Sequence, residues 1–386
     1  ITRKDFTGIE LTAQTSDFFD MESGQQSTIG LIAGKQFEGG NVLFGAEYVD
    51  QEEAYQSDTP WDHMQNAYYL YPEGCENQVT APYDGTPSGG CLRLGSSRIP
   101  ESRLLFTSNG TNAANGQSLF LVGTPATTPY EVGLLLPHDG RTYNYAPVNY
   151  IQTPYERTNL FLEAHYDVMP NVRFNTMVRG NWRESSQELA PLPFTPPDPM
   201  YSGVFNGLAY NGISEDNYYL RRAVDAYNAT NPATPLAYEP IVDARRRMIE
   251  SSRRFNQTVN QYQVSAGLEG SFNEIDWEIV YNTGRRSRTD ADVGNFSGAR
   301  LANAFGPSAD LDGDGQPECY TDISNPATRI NGCVPMNFFG GGVVDPVTSQ
   351  PTVTTVTQDM LDYAAVTLID TYLTTMDTVG LTVAGS

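Results

Sequence analysis

The sequence has no run of about 18 consecutive apolar residues, so a membrane-spanning helix is excluded. It also lacks a basic segment followed by an apolar core at its start, and no signal peptide is recognised. The chain starts with Ile1-Thr2-Arg3-Lys4 and stops at Ala384-Gly385-Ser386, within an alternating run. We therefore expect both ends to be interior to a longer protein.

Positive charge is scarce in this chain. Lys and Arg number 23 against 46 Asp and Glu, which gives a formal net charge of −23. This balance excludes binding to nucleic-acid backbones, which requires the opposite sign. Tyrosine (23) and glycine (35) are abundant instead. An acidic, aromatic, glycine-rich chain is typical of a secreted β-protein and of a β-barrel with a polar lumen, and composition leaves both open.

Catalytic motifs are absent as well. The sequence contains no G-x-S-x-G, no H-E-x-x-H and no glycine-rich phosphate loop beside a helix. Its three histidines, His63, His138 and His165, lie in unrelated contexts. We predict that the protein is not an enzyme. The alternative is an extracellular glycosidase on a β-scaffold, because paired carboxylates are frequent in so acidic a chain.

Cysteine is rare, and the four that occur form two local pairs. Cys75 and Cys91 bracket one segment rich in turn residues, and Cys319 and Cys333 bracket another. Proximity favours these two disulfides, each closing a loop of roughly 15 residues that is worth about 3 kcal/mol in the chain-entropy model. The alternative is four unrelated buried thiols. Two disulfides would indicate an oxidising compartment.

A period of two runs through much of the sequence. Apolar and polar residues alternate over 159–168, and after the turn Met169-Pro170-Asn171 they alternate again over 172–183. The pattern recurs elsewhere, at 9–14, 29–48, 262–282 and, less cleanly, 368–384. About eight strands are predicted. The clearest runs are about ten residues long, which is the length that crosses a bilayer at a tilt.

The connections between these runs fall mostly into two classes, very short turns and very long segments. The short ones are the turns Glu38-Gly39-Gly40, Met169-Pro170-Asn171 and Asn273-Glu274; the long ones span about 51–152, 184–256 and 295–362. Compact soluble domains rarely contain structureless loops beyond about 15 residues, whereas outer-membrane barrels combine short periplasmic turns with long extracellular loops. We therefore predict an all-β fold, a partial transmembrane antiparallel β-barrel of about eight strands. A soluble β-sandwich is the alternative.

The barrel prediction gives each strand residue a direction. Aromatic residues lie on the apolar side at both ends of the runs, as in the two girdles of a barrel, at Phe37, Phe174, Phe272 and Trp277 beside the turns and at Tyr48, Trp182 and Tyr262 opposite. Residues predicted to face lipid are Leu160, Leu162, Val178, Val264, Leu268 and Ile279. Residues predicted to face the lumen are Glu163, Arg173, Arg179, Arg183, Glu269 and Glu278.

Three segments carry a family resemblance. Ile1-Thr2-Arg3-Lys4 is similar to the end of a plug domain, and Gly332-Cys333-Val334-Pro335-Met336-Asn337-Phe338-Phe339-Gly340 is similar to a Cys-x-Pro-x-Asn-x-Phe-Gly segment of an external loop. Thr357-Gln358-Asp359-Met360-Leu361-Asp362-Tyr363 is similar to the short helix that often follows it. In these segments the chain resembles the TonB-dependent receptors of the outer membrane, in particular the large-loop type of proteobacteria.

The resemblance implies that residues 1–4 end the plug and that 5–386 form the N-terminal part of the barrel domain, without the plug and the later strands. It implies contact with outer-membrane lipid and energy-coupled uptake of a scarce small molecule, such as a ferric siderophore or an oligosaccharide. The TonB–ExbB–ExbD system would drive uptake through the plug region, and no cofactor is required. The alternatives are a passive porin-like channel and a secreted, calcium-stabilised β-sandwich adhesin.

A candidate metal site lies in the third long connection. The segment Asp310-Leu311-Asp312-Gly313-Asp314-Gly315 has the D-x-D-x-D-G start of a calcium loop, and Glu318 is a possible fourth oxygen ligand. The twelfth position is Thr321 instead of the bidentate Glu of an EF-hand. A structural calcium ion and a solvated acidic turn are both open.

The dense basic cluster of the sequence is a candidate ligand site. Its members are Arg245, Arg246, Arg247, Arg253 and Arg254. Forked guanidinium groups recognise anionic ligands, so the cluster predicts an anion site near the barrel mouth. The favoured alternative is pairing with local acids such as Asp243 and Glu250, or with a plug domain.

Overall fold

A large antiparallel sheet of eight long strands dominates the protein, which is mostly β. The computed structural model describes residues 6–21, 23–70, 91–93, 95–106, 118–122, 130–139, 141–194, 203–205, 208–210, 212–241, 243–344 and 351–385. The long strands are β1 (Gly8–Ser16), β2 (Gln26–Phe37), β3 (Gly40–Gln51), β4 (Tyr155–Met169), β5 (Val172–Leu189), β6 (Arg253–Phe272), β7 (Ile275–Phe296) and β8 (Ala365–Gly385).

The eight strands follow one another in the sheet in the order in which they occur in the chain. Every neighbouring pair is antiparallel, and β1 and β8 are the two edges of the sheet among the described strands. The prediction of about eight strands is confirmed. The predicted loop from 184 to 256 is wrong at its ends, because β5 continues to Leu189 and β6 begins at Arg253. Polar residues continue the ladder there, which a hydrophobic pattern does not detect.

Short turns join alternate strands at one end of the sheet. Two of them use left-handed backbone, at Gly39 (φ 77°) between β2 and β3 and at Asn273 (φ 55°) between β6 and β7. Tight hairpins favour Gly and Asn there because other side chains clash with the backbone at positive φ. Pro170 and Asn171 join β4 to β5. The predicted turns are confirmed in place.

The three long connections, residues 52–154, 190–252 and 297–364, all leave the opposite end of the sheet, and the residues described in them pack together. We call them the loop domain. Its helices are α1 (Asp62–Gln65), α2 (Tyr218–Thr230), α3 (Gly298–Ala304) and α4 (Gln358–Ala364), with 3-10 turns at Gln56–Asp58 and Pro326–Thr328. Its short strands are Ala54–Tyr55, Tyr68–Leu70, Cys91–Arg93, Arg103–Phe106, Ser118–Val122, Leu135–Pro137, Tyr150–Gln152, Pro193–Phe194, Gly203–Phe205, Leu208–Tyr210, Ala244–Arg247, Ser308–Ala309, Glu318–Cys319, Gly341–Val344 and Pro351–Thr354.

One hydrophobic core draws on all three connections of the loop domain. Phe194 of the second connection lies 5.6 Å from Phe305 and 5.3 Å from Phe338 of the third, measured between ring centroids. The hydroxyl of Ser102 in the first connection donates to the carbonyl of Phe338 at 2.7 Å. The long connections therefore form a folded unit, because their described residues bury apolar side chains against one another.

Helix α2 contributes one face to this core. The side chain of Asn217 caps its N-terminus by accepting from the backbone N–H groups of Tyr219 and Leu220. The buried positions Leu220, Val224 and Tyr227 recur at helical spacing and place one face of α2 in the core. Within the described ranges, no helix is long and apolar enough to cross a membrane.

Candidate functional site

One face of the large sheet is apolar and exposed. Phe44, Leu162, Val178 and Val264 stand opposite one another across β3, β4, β5 and β6, so their side chains share a face. Val178 is 39% exposed. A second row joins Phe174, Leu268, Ile279 and Leu381 across β5 to β8, and Leu381 is 71% exposed. The two rows together cross six strands, β3 to β8, and a contiguous exposed apolar surface marks a region that contacts protein or membrane.

The six residues predicted to face lipid all lie on this apolar face. The register places Leu160 two residues from Leu162 on β4, and it pairs Leu268 with Ile279. The aromatic residues at the two ends of the strands lie on the same face, where Phe37 stacks on Tyr166 with 6.3 Å between ring centroids. The register therefore places the aromatic and aliphatic residues on one common face.

The opposite face of the sheet is polar. Arg179 of β5 approaches Glu163 of β4 at 3.8 Å, and Arg173 bonds Asp167 at 2.7 Å. Arg173 also lies 4.0 Å from Glu269, which stands directly opposite Glu278. This polar face lines a depression of about 600 Å³. A separate cavity of about 640 Å³ lies in the loop domain. The residues predicted to face the lumen are thus on one face, opposite to the apolar one.

Two arginines of the basic cluster are buried. The side chain of Arg246 is 0% exposed, and its guanidinium bonds both carboxylate oxygens of Glu250 at 2.7 and 2.6 Å. It lies over the ring of Phe338 at 5.3 Å, and Glu250 also accepts from the hydroxyl of Thr354. This pair therefore joins the second connection to the third. With no exposed surface, Arg246 has no access to a ligand.

Arg247 joins the second connection to the first. Its guanidinium donates to the carbonyl of Pro191 at 2.6 Å and to the hydroxyl of Ser96 at 2.7 Å, over the ring of Tyr143 at 5.2 Å. Burial lowers the pKa of Arg247 to about 10. Arg246 is therefore paired with an acid of the protein, as the alternative to ligand binding expects. Arg247 is likewise held by groups of the protein, Pro191 and Ser96.

The other three arginines of the cluster are at least partly exposed. Arg245 bonds both oxygens of Asp243 at 2.7 and 2.8 Å, as the pairing alternative expects. Arg254, near the start of β6, pairs with Glu188 of β5 at 2.9 Å. Arg253 has no carboxylate within ion-pair distance among the described residues. Both Arg253 and Arg254 lie in a long strand and not in a loop, contrary to the expectation.

The acidic turn brings three carboxylates together. Ligand oxygens of Asp310, Asp312 and Asp314 lie within 4.8 Å of one another, which is the spacing that could hold a cation. Asp310 accepts from the backbone N–H groups of Gly313 and Gly315 at 2.8 and 3.0 Å. Glu318 lies outside this group and pairs with Arg329 at 2.8 Å. The predicted fourth ligand is therefore engaged elsewhere.

The disulfide between Cys319 and Cys333 is confirmed. It borders the cavity of about 640 Å³, whose wall also includes Tyr130, Arg300 and Asp359. The predicted disulfide of Cys75 with Cys91 lies outside the described residues, because Cys75 is not among them. The short helix expected after the Cys-containing segment is confirmed as α4.

Sequence reasoning missed the spatial neighbours of Arg245. A five-stranded sheet of the loop domain is formed, in spatial order, by the strands Pro193–Phe194, Ala244–Arg247, Arg103–Phe106, Ser118–Val122 and Leu135–Pro137. In this sheet Arg103 lies directly opposite Arg245, although 142 positions separate the two residues in the chain. No local pattern signals a pairing at such a separation. The predicted cluster and the cluster in space therefore share only part of their members.

No protein-family model matches the sequence, and no curated protein matches it significantly. The function of the protein is therefore inferred from the two faces of the sheet and from the loop domain.

Proposed function

We propose that this protein is an outer-membrane uptake receptor of the TonB-dependent type and that the eight-stranded sheet is part of its barrel wall. The observation that carries the proposal is the exposed apolar face, which continues in register across the sheet while the polar side chains lie opposite. Apolar surface of this extent is unfavourable in water. Lipid is the solvent in which it is stable, and a polar lumen is the place for the other face.

The dimensions of the apolar face suit a bilayer. On β5 the face extends from Phe174 to Trp182, which is nine residues, and a tilted transmembrane strand needs about 9–11. Aromatic side chains at both ends of this span, including Tyr262 on β6, have the amphipathic character favoured at membrane interfaces. We infer that Phe174 and Trp182 mark the two interfaces.

The asymmetry of the connections supports an orientation. Short turns occupy one end of the sheet, while the loop domain with its disulfide occupies the other. Outer-membrane barrels place short turns in the periplasm and large loops outside the cell. We therefore place the loop domain outside, where it would meet the ligand first.

The resemblance supplies the remaining part of the proposal. A plug domain inside the barrel would connect the ligand to the TonB–ExbB–ExbD system, which supplies the energy for release. The ligand would be a scarce nutrient such as a ferric siderophore or an oligosaccharide. A passive porin-like channel would share the same wall, whereas a secreted adhesin would need the apolar face to be covered by protein.

Single-cysteine labelling of β6 in intact outer membranes tests the proposal. Cysteines that replace Tyr262, Val264 and Leu268 should react with a lipid-soluble maleimide and resist a charged one. Cysteines at Gln263 and Ser265, one residue and one face away, should show the opposite preference or be shielded by a plug. These positions form matched pairs on the same strand.

Equal labelling of both sets by the charged reagent would refute the barrel. Recovery of the full-length product in the soluble supernatant would refute the outer-membrane location and favour the adhesin. If the barrel inserts but ligand uptake persists in cells that lack TonB, the protein is a passive channel.

A further inference from the structure

Arginine side chains from two separate connections converge on the outer face of the five-stranded sheet in the loop domain. Arg103, in the strand Arg103–Phe106, is the direct antiparallel partner of Arg245, in the strand Ala244–Arg247. Side chains of such partners leave the same face, with β-carbons about 5 Å apart. The side chain of Arg246, the next residue in the strand, lies on the opposite face of the sheet and is buried in the loop domain.

Within the described part of the chain, Arg103 has no counter-charge of its own. Among the described residues, no carboxylate lies within ion-pair distance of its guanidinium, and its buried Nε atom has no hydrogen-bond acceptor. The nearby Asp243 is bound by Arg245 through the Nε and Nη2 groups. A buried donor without an acceptor is unfavourable, and two adjacent guanidinium groups repel each other.

Further positive groups surround this pair. Burial lowers the pKa of Arg103, and the charges of Arg245 and Arg98 lower it further, against the opposing effect of Asp243. Burial also lowers the pKa of His138, together with the charges of Arg103 and Arg141 and against the opposing effect of Asp139. In a chain of net charge −23, these neighbours are a local concentration of positive groups around the Arg103–Arg245 pair.

We propose that Arg103 and Arg245 form the centre of a binding site for a small multivalent anion that carries carboxylate or phosphate groups. The N–H groups of a planar guanidinium match either group, and an anion between the two arginines would accept from the terminal Nη groups of Arg103 and from Nη1 of Arg245, which Asp243 leaves unoccupied. Its negative charge would relieve the repulsion between the two guanidinium groups. The role of this anion as cargo rests on the proposed uptake function. Within that function, the site favours an anionic ligand over a neutral oligosaccharide.

Titration calorimetry on the purified full chain in detergent tests the site. The probes are citrate, for carboxylates, pyrophosphate, for phosphates, and maltotriose, for a neutral sugar. We expect one of the two anions to bind, with an affinity that decreases from 50 to 200 mM NaCl because screening weakens charge pairing. The anion that binds with the higher affinity shows whether the site prefers carboxylate or phosphate groups. Binding of maltotriose alone, or of no probe, overturns the proposal.

Arg103→Gln provides the decisive variant, with Arg222→Gln as the matched control on an exposed face of the same domain. Arg103→Gln should lower the anion affinity about tenfold, the lower end of the effect of one charge-assisted hydrogen bond, and Arg222→Gln should not. Arg103→Lys, which keeps the charge but not the fork, should lie between. Equal affinity in Arg103→Gln and the wild type refutes the site.

Thermal denaturation separates binding from a structural role. Because Arg103 is repelled by its neighbours, Arg103→Gln should keep or raise the melting temperature of the ligand-free protein. A variant that melts much lower, or does not fold, marks Arg103 as structural and overturns the proposal. Membrane fractionation of the same variants tests the proposed function independently, since anion binding does not require that the protein be a barrel.

Discussion

The large sheet and the loop domain arrange their apolar side chains in opposite ways. In the sheet, Val178 and Leu381 point away from the protein on an exposed face. In the loop domain, residues such as Phe194, Phe305 and Phe338 are buried against one another. The loop domain therefore has an apolar interior, whereas the apolar face of the sheet is exposed. Under the proposed function, the loop domain is stable in water and the apolar face of the sheet is stable in lipid.

Charge follows the same division. The loop domain contains the fully buried pair Arg246–Glu250, which joins two connections. On the sheet, pairs such as Arg173–Asp167 are nearly half exposed and lie on the polar face. Exposed pairs contribute little to stability, whereas removal of one partner from a buried pair is costly. The comparison thus predicts where substitutions are tolerated.

The largest effect is expected when the buried ion pair is broken. Glu250→Ala leaves the charge of Arg246 buried and uncompensated, which should destabilise the loop domain by about 3–5 kcal/mol. Limited proteolysis and thermal denaturation measure the effect, and the long strands should stay protected. Glu215→Gln, on an exposed side chain of the same domain, is the control and should change neither. Loss of the sheet together with the loop domain would contradict the separation of the two regions.

A charge on the apolar face should be the next most harmful change. Val264→Arg should cost about 2–4 kcal/mol near the middle of a bilayer, because no water solvates the guanidinium there. Gln263→Arg, on the polar face of the same strand, should be tolerated. The yield of heat-modifiable, folded protein in the outer membrane measures both. Similar yields of the two variants would show that the two faces of β6 meet the same environment.

Reduction of the Cys319–Cys333 disulfide should have a local effect. The bond closes a loop of roughly 15 residues, and its loss should weaken that segment by about 3 kcal/mol in the chain-entropy model. Protease cleavage between Ala309 and Val334 should increase while cleavage within β6 and β7 does not. Peptide mapping under non-reducing conditions checks the pairing, and a link from Cys75 to Cys319 would contradict it.

The smallest effect concerns the acidic turn. If calcium binds at Asp310, Asp312 and Asp314 with the affinity usual for extracellular modules, its removal should weaken the turn by about 1 kcal/mol at millimolar calcium. A chelator should then increase proteolysis of the segment Ala309–Cys319 in the wild type, but not in Asp312→Ala. Identical cleavage with and without chelator would leave the turn as a solvated acidic loop.

The sequence predicts the sheet well because a strand with one apolar face produces a period of two. The hairpins, the number of strands and the shared face of Leu160, Val178 and Val264 all follow from this pattern. The last residues of β5 and the first residues of β6 were missed, because polar residues also form the backbone hydrogen bonds between strands. The resemblance anticipated α4, but α2 was missed, although Asn217 and the spacing of Leu220, Val224 and Tyr227 are a recognisable helix signal.

The loop domain could not be predicted in this way. Its strands are only two to five residues long, too short for a period to appear, and its core combines residues far apart in the chain, such as Leu104, Phe194 and Phe338. The basic cluster shows the same limit. Neighbours in sequence, Arg245 and Arg246, leave opposite faces of one strand, while the partner of Arg245 lies in another connection.

The neighbour-to-neighbour order of the eight strands has a consequence for folding. The hairpins β2–β3, β4–β5 and β6–β7 close over about two residues, but pairing β3 with β4 closes about 100 residues. Since each doubling of a flexible loop adds about 0.6 kcal/mol, that step costs about 3 kcal/mol more than a hairpin turn. Hairpins should therefore form early, and their apolar side chains should stay exposed until the long connections have folded. During that interval we expect the chain to depend on a holding chaperone.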